Sequence, residues 1–318
     1  MKIFVAGASG AIGKQLVPLL VDAGYEVVGT TTSAGKADDL RALGAEPVIL
    51  DLLDAEAVGR AVSEAAPDVV AHEATALAPV GGNLRKFDAA FAQTNRLRTE
   101  GTDNLLAAAR AVGVRKFIAQ SYAGWPYARQ GAAVKDEEAP LDDNPVENSK
   151  ATIAAIRRLE ERVVAADGIV LRYGGFYGPG TSLAVGGEML DAIRKRMFPV
   201  VGSGAGMTSF IHIEDAARAT LAAIERGEPG LYNIVDDEPA PASEWLPYLA
   251  DAVGAKPPRH VPLWLGRLMA GDALATMMTE GRGASNAKAK QELGWQLLYP
   301  SWREGFVNGL REQTRRAA

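Results

Sequence analysis

An α/β fold, with a doubly wound parallel sheet and a smaller C-terminal lobe, is what the sequence predicts on two observations. Through the first half, short β-branched and apolar runs alternate with longer stretches of helical periodicity, the pattern of βαβ units. Beyond Tyr173 that alternation gives way to short elements between glycine-rich turns, among them Gly174-Gly175, Gly178-Pro179-Gly180 and the span from Gly202 to Gly206. With 318 residues the chain can bury a core without disulfides or a structural metal.

Strands are expected at Lys2–Ala6, Tyr25–Thr30, Glu46–Asp51, Asp68–His72, Lys116–Ser121 and Ile169–Tyr173. Helices are expected at Ile12–Ala23, Ala37–Leu43, Ala55–Ala65, Phe87–Val112 and Thr152–Ala166, and right-handed crossovers then wind the sheet. The acidic, proline-broken segment from Asp136 to Pro145 reads as a solvent-facing or lid-like loop. Val261 to Met278 is strongly apolar, but Pro262, Arg267 and Asp272 make it an amphipathic helix rather than a membrane span.

Composition excludes several classes of function. Lys and Arg are scattered at a net charge of −5, so nucleic acid is not expected as a partner. The absence of cysteine removes disulfides, thiolate metal sites and a cysteine nucleophile, and fits a reducing compartment. The N-terminus enters a strand with no apolar signal stretch, so a cytoplasmic location away from membranes is expected. His72 and His212 read as structural, His260 lies in a proline-rich turn, and without a carboxylate constellation no metal site is expected.

The segment Gly7-Ala8-Ser9-Gly10-Ala11-Ile12-Gly13 follows the first strand and opens the first helix. Glycine suits these places: one turns sharply, one lets a pyrophosphate reach the backbone, and one lets helix and strand pack closely. Free amides and the positive end of the helix then hold phosphate charge. A Rossmann-type fold binding a dinucleotide follows, with residues 1–175 as the core and 176–318 as a substrate-binding lobe partly intertwined with it. At the end of the second strand, Thr30-Thr31-Thr32-Ser33-Ala34-Gly35-Lys36 has no carboxylate for a ribose 2′-hydroxyl. Hydroxyls of Thr31, Thr32 and Ser33 with the Lys36 cation suit a 2′-phosphate, so NADP is expected ahead of NAD.

With these residues in hand the chain resembles the short-chain dehydrogenase/reductase superfamily, in its extended and atypical epimerase/dehydratase-like branch. The resemblance is carried by the glycine turn, by Asp51-Leu52-Leu53-Asp54 on the adenine side and by His72-Glu73-Ala74-Thr75 after the fourth strand. It continues through Asn95 to Leu106, Leu171-Arg172-Tyr173-Gly174-Gly175-Phe176-Tyr177-Gly178-Pro179-Gly180, Phe210-Ile211-His212-Ile213-Glu214-Asp215 and Lys290 to Trp295. It implies that Asp51, Leu52, Glu73, Ala74, Thr75, Asn95, Tyr173, Gly174, Gly175 and Phe176 border the cofactor together with the glycine turn. It also implies a serine and a Tyr-x-x-x-Lys motif beside the nicotinamide, where the lysine lowers the tyrosine pKa for acid/base work. Ser121 matches the serine and Lys150 the lysine, but Val146 stands where the tyrosine belongs.

The proton must then come from elsewhere, and Tyr122 and Tyr127 are the candidates, with Tyr177 on the other wall. The resemblance implies an NAD(P)-dependent oxidoreductase or epimerase-like enzyme acting on a small molecule. Val146 keeps open a catalytically silent dinucleotide-binding protein, or a non-redox elimination or cyclisation. A neutral, largely apolar substrate is expected: Met207-Thr208-Ser209 offers no cation before Phe210, whereas Leu263-Trp264-Leu265 with Leu268-Met269 and Met277-Met278 offer an apolar wall. Arg282 keeps a sugar-nucleotide reading open through its likeness to a C-terminal phosphate-binding arginine. A homodimer is compatible with the sequence.

Overall fold

The computed structural model describes residues 1–76 and 84–311. Seven parallel strands form the central sheet: β1 (Lys2–Ala6), β2 (Glu26–Thr31), β3 (Glu46–Ile49), β4 (Val69–His72), β5 (Lys116–Tyr122), β6 (Ile169–Tyr173) and β7 (Gly230–Ile234). Their spatial order is β3-β2-β1-β4-β5-β6-β7, so the strand order reverses between β1 and β4. Ligands of such sheets bind outside the carboxyl ends at that reversal.

Strand β1 is buried on both faces because helices cover the sheet from either side, which is why its sequence is unbroken Ile-Phe-Val-Ala. On one face α1 (Ala11–Asp22) and α6 (Ile213–Arg226) pack over Ile3, Val5, Leu16 and Ile213. On the other lie α3 (Ala55–Ala65), α4 (Thr102–Ala111) and α5 (Lys150–Val164), over Phe4, Val58, Leu105 and Leu159. Helix α3 shows why local sequence suffices there. Asp54 caps it, its carboxylate accepting the Ala57 amide at 2.9 Å, and Val58, Ala61, Val62 and Ala65 form one buried stripe. The short α2 (Ala37–Ala42) flanks β3.

Three expectations need correction. The sheet also has a strand that the sequence pattern did not single out, residues 230–234 beside β6. The single helix expected over Phe87–Val112 is broken into Phe87–Ala90, Ala92–Arg96, a wide π turn at Leu97–Gly101, and α4. The cause is at the Leu97 carbonyl, which meets the His72 ring at 3.3 Å and the Thr102 hydroxyl at 3.4 Å, side chains inserted into the helical ladder. The helix expected over Val261–Met278 is two, Leu263–Ala270 and Asp272–Glu280. Gly271 between them has φ +86°, and a Cβ there would stand 2.7 Å from the Arg85 Cα. The segment from Asp136 to Pro145 is not wholly solvent-facing: Glu137 accepts the Asn233 amide at 2.8 Å, and Asp142 pairs with Arg129 at 3.0 Å.

The lobe is built from two-residue and three-residue strand pairs, such as Gly175–Tyr177 beside Phe210–His212 and Met207–Thr208 beside Ala240–Pro241. Its core gathers Tyr177, Phe210, Trp245, Trp302 and Phe306. Among the described residues, no helix is long and apolar enough to cross a membrane.

Candidate active site

The turn from β1 into α1 is shaped by glycine. Gly7 adopts φ +89°, and a Cβ on it would lie 2.6 Å from the Ala74 Cα, so only glycine lets this turn touch the chain leaving β4. Gly13 lets α1 sit on the turn, since a Cβ there would meet the Ala8 carbonyl oxygen at 2.4 Å. Gly10, the N-cap of α1, has no capping side chain, and the first turn, which includes Ala11 and Ile12, carries no acidic residue. The N-terminal amides of this 12-residue helix are left to a ligand anion. The residues present therefore fit a dinucleotide pyrophosphate.

The hydroxyls behind the turn divide into two groups. Thr30 accepts the Gly7 amide at 3.0 Å, and Thr31 accepts from Ser9 at 3.0 Å and from the Ser33 amide at 3.2 Å. These bonds hold the turn against β2. Thr32, Ser33 and Lys36 are exposed beyond them. On the adenine side, Asp51 caps its own turn by accepting the Leu53 amide at 2.9 Å, and Leu52 is buried.

Glu73, with Ala74 and Thr75, closes the other side. Its backbone carbonyl accepts Gln120 Nε2 at 2.8 Å, and one carboxyl oxygen accepts the Tyr173 hydroxyl at 3.2 Å. The other oxygen is buried with no partner among the described residues. Burial pushes this carboxyl up to about 8, against a weaker opposing pull from the Tyr173 hydrogen bond. The neighbouring His72 is pushed the other way, down to about 4, chiefly by burial.

The signs of these shifts give a stability profile. The native fold favours protonated Glu73, so that contribution is full below the ordinary carboxylate range and lost as pH rises through about 8. His72 contributes stability above its ordinary 6.5 that is lost as pH falls through about 4. Glu73→Gln is thus expected to raise the thermal midpoint relative to the parent at pH 9 more than at pH 5, as scanning calorimetry would show. An equal change at both values would contradict the assignment.

A cavity of about 250 Å³ opens between the ends of β5 and β6 and the lobe. Tyr122, Trp125, Gly175 and Phe176 line the core side; Met207, Ser209, Phe210, Trp245, Met277, Met278 and Arg282 line the lobe side. The sharp bend at Gly174 is needed because a Cβ there would meet the Ser209 carbonyl oxygen at 2.7 Å. Phe176 stacks toward Tyr173 at 5.3 Å between ring centroids. Trp264, Leu268 and Met269, expected in the apolar wall, instead stay exposed on the outer helix.

Of the four residues expected to carry the acid/base chemistry, Tyr122 alone lines this cavity. Its hydroxyl has no hydrogen-bond partner among the described residues and lies 3.6 Å from where a Gly175 Cβ would be. Burial pushes the phenol up to about 12, with Arg98 pulling weakly the other way. Ser121 faces the opposite side of the strand and donates to Glu160 at 2.6 Å. Arg172 holds that Glu160 through two hydrogen bonds of 2.9 and 2.7 Å, and all three residues are buried. Tyr127 is wholly buried, its hydroxyl donating to the Asn233 side-chain oxygen and its ring 5.3 Å from the Arg172 guanidinium. Lys150 is exposed and paired with Glu147 at 2.6 Å. Asn95 donates to Thr152 at 3.0 Å, which in turn donates to Asp88 at 2.6 Å. Val146 lines a narrow recess of about 20 Å³ that shares Trp125 and Met277 with the cavity.

Trp245 and Thr208, both on the cavity wall, carried no motif in the sequence, and the Glu160–Arg172 pair was equally hidden. Among the described residues no cluster of three or more histidine, aspartate or glutamate side chains could hold a metal.

This architecture has close counterparts. A UDP-glucose 4-epimerase from Thermotoga maritima, solved with UDP-glucose, superposes with a TM-score of 0.78 over 98% of this chain and 97% of its own, at 23% identity. In sequence the chain is 44% identical over 311 residues to a 3-diazoavenalumate denitrifying reductase from a Streptomyces species, covering 96% of this chain and 99% of that protein. It is 30% identical over 262 residues to a 4-hydroxy-2-methyl-3-oxo-4-farnesyl-3,4-dihydroquinoline-1-oxide ketoreductase from Stigmatella aurantiaca, covering 80% and 74%. Residues 3–235 match the NAD dependent epimerase/dehydratase family. The chain belongs to that family and is an oxidoreductase or epimerase-like enzyme of the short-chain dehydrogenase/reductase type.

Proposed function

We propose that this enzyme is an NADPH-dependent reductase of small, largely apolar organic molecules, with Tyr122 as its proton donor. The observation that carries the proposal is the state of the Tyr122 phenol in the cavity wall. With Lys150 paired to Glu147 at the surface, no lysine lowers its pKa, and burial raises it to about 12. Such a phenol is protonated at neutral pH, the form from which a proton can be given, and it is the one of the four candidate acid/base residues that lines the cavity. Epimerisation through a keto intermediate must begin by taking a proton from an alcohol, whereas reduction ends by giving one.

When bound on the Gly7–Gly13 turn, the reduced cofactor supplies a hydride. Tyr122 delivers the balancing proton: for a carbonyl substrate, a C–H bond forms, the C=O π bond breaks, and the oxygen takes the phenolic proton. Bulk water then returns a proton to the phenolate. Trp125, Met207, Phe210 and Met277 supply the apolar walls that exclude water from this exchange. Two of the relatives are reductases, which supports the same direction of chemistry. Exposed Thr32, Ser33 and Lys36, with no carboxylate among residues 30–36, support NADPH over NADH.

Calorimetric titration is expected to show NADPH bound more tightly than NADH, and aromatic aldehydes or ketones are expected to oxidise NADPH in the presence of the enzyme. Tighter NADH binding would remove the cofactor preference. Lack of NADPH oxidation across such a panel would count against the reductase.

A further inference from the structure

We propose that the substrate carries a carboxylate and that Arg282 receives it. This refines the reductase reading, on which it rests, by naming the substrate's charged group. Arg282 is the sole charged residue among those lining the 250 Å³ cavity. Its Nε is buried without a hydrogen-bond partner, and no ion pair or side-chain hydrogen bond engages its guanidinium among the described residues. The indole Nε1 of Trp245, on the same cavity wall, is a second buried donor without a partner. The remaining polar lining is Tyr122, Ser182, Thr208 and Ser209, hydroxyls that can all donate.

Arg282 is part-buried with its Nε sequestered and unpartnered beside methionines and aromatics, and its fixed donor fork matches a carboxylate. The protein offers none here, so the anion is the ligand's. A monoanion balances one arginine. A diphosphate would leave charge uncompensated, because among the described residues neither a lysine nor a second arginine lines the cavity. The volume, just below the roughly 300–1,000 Å³ usual for ligand pockets, also suits an aryl or alkyl acid better than a nucleotide-linked sugar. The neutral substrate expected from the sequence is thereby revised to an apolar acid.

The test is calorimetric binding of benzoate, 3-phenylpropanoate and 5-phenylpentanoate, each beside its methyl ester, to the parent protein and to Arg282→Met, with and without NADP. The parent is expected to prefer at least one acid over its ester by roughly 10- to 100-fold, and Arg282→Met to lose that preference while binding the ester as before. Its thermal midpoint should stay close to the parent's, because no hydrogen bond or ion pair of the guanidinium among the described residues is lost. No acid preference across the set, or one that survives Arg282→Met, would overturn the proposal, as would binding of UDP-glucose abolished by the same change. The readout needs no turnover: acid binding lost in Arg282→Met without any NADPH oxidation would uphold the Arg282 role and reject the reductase. Oxidation of NADPH by esters but not acids would do the reverse.

Discussion

Replacing Tyr122 with phenylalanine is expected to lower kcat by roughly 10²–10⁴-fold, the usual loss when a positioned proton donor is removed. Binding of the reduced cofactor should be unchanged, because the hydrogen bonds that hold the Gly7–Gly13 turn are to Thr30 and Thr31. Fold stability should also hold, since the Tyr122 hydroxyl makes no hydrogen bond among the described residues that its removal would break. The contrast with Ser121→Ala is the informative part. In the resembled superfamily the serine works beside the substrate, but here the Ser121 hydroxyl is turned to Glu160, so its loss should leave kcat within a few-fold of the parent. Steady-state kinetics on the two variants decide the matter. A large fall for Ser121→Ala and a small one for Tyr122→Phe would reverse the assignment.

The second large effect is on stability. Glu160→Ala leaves the Arg172 guanidinium buried and uncompensated, and removing one partner of such a pair typically costs about 3–5 kcal/mol. The Ser121 hydroxyl loses its acceptor in the same step. Denaturant unfolding of Glu160→Ala, Arg172→Met and the double variant would separate the pair from mere cavity formation. The expected result is that the double variant is more stable than Glu160→Ala alone, because the stranded charge is gone. Strictly additive losses would show that the two side chains act independently. The position matters for function too, since Glu160 also accepts from Ser121 of β5, the neighbour of the cavity-lining Tyr122.

How legible all this was in the sequence depended on how local the cause was. Lys2–Ala6, Ala55–Ala65 and Ile169–Tyr173 fold over the residues expected, because an apolar run or a capped amphipathic stripe decides each within its own span. Strand β7 was missed because Gly-Leu-Tyr-Asn-Ile is short, and it is settled by pairing with β6, some 60 residues earlier. The break near Leu97 depends on the His72 ring, which arrives from another strand.

The same division holds at the site. The glycine turn is a local motif, and its conformation can be anticipated from spacing alone. The catalytic side could not be, because along a strand successive side chains point to opposite faces. Ser121 and Tyr122 are neighbours in sequence, yet one meets Glu160 in the core and the other the cavity. That one-residue difference decides which hydroxyl can meet a substrate, and it is set by the register of β5 against β6, with Ser121 opposite Arg172 and Tyr122 opposite Tyr173.

The central claim, reduction with the proton supplied by the cavity phenol, is tested most directly by isotope. An aromatic keto acid such as benzoylformate, turned over with NADPH deuterated at the transferring position of C4, should yield a hydroxy acid carrying one deuterium on the former carbonyl carbon. The same reaction with ordinary NADPH in heavy water should place none there, and both label patterns should slow together in Tyr122→Phe. Product formed without cofactor deuterium, or with solvent deuterium on that carbon, would contradict the account.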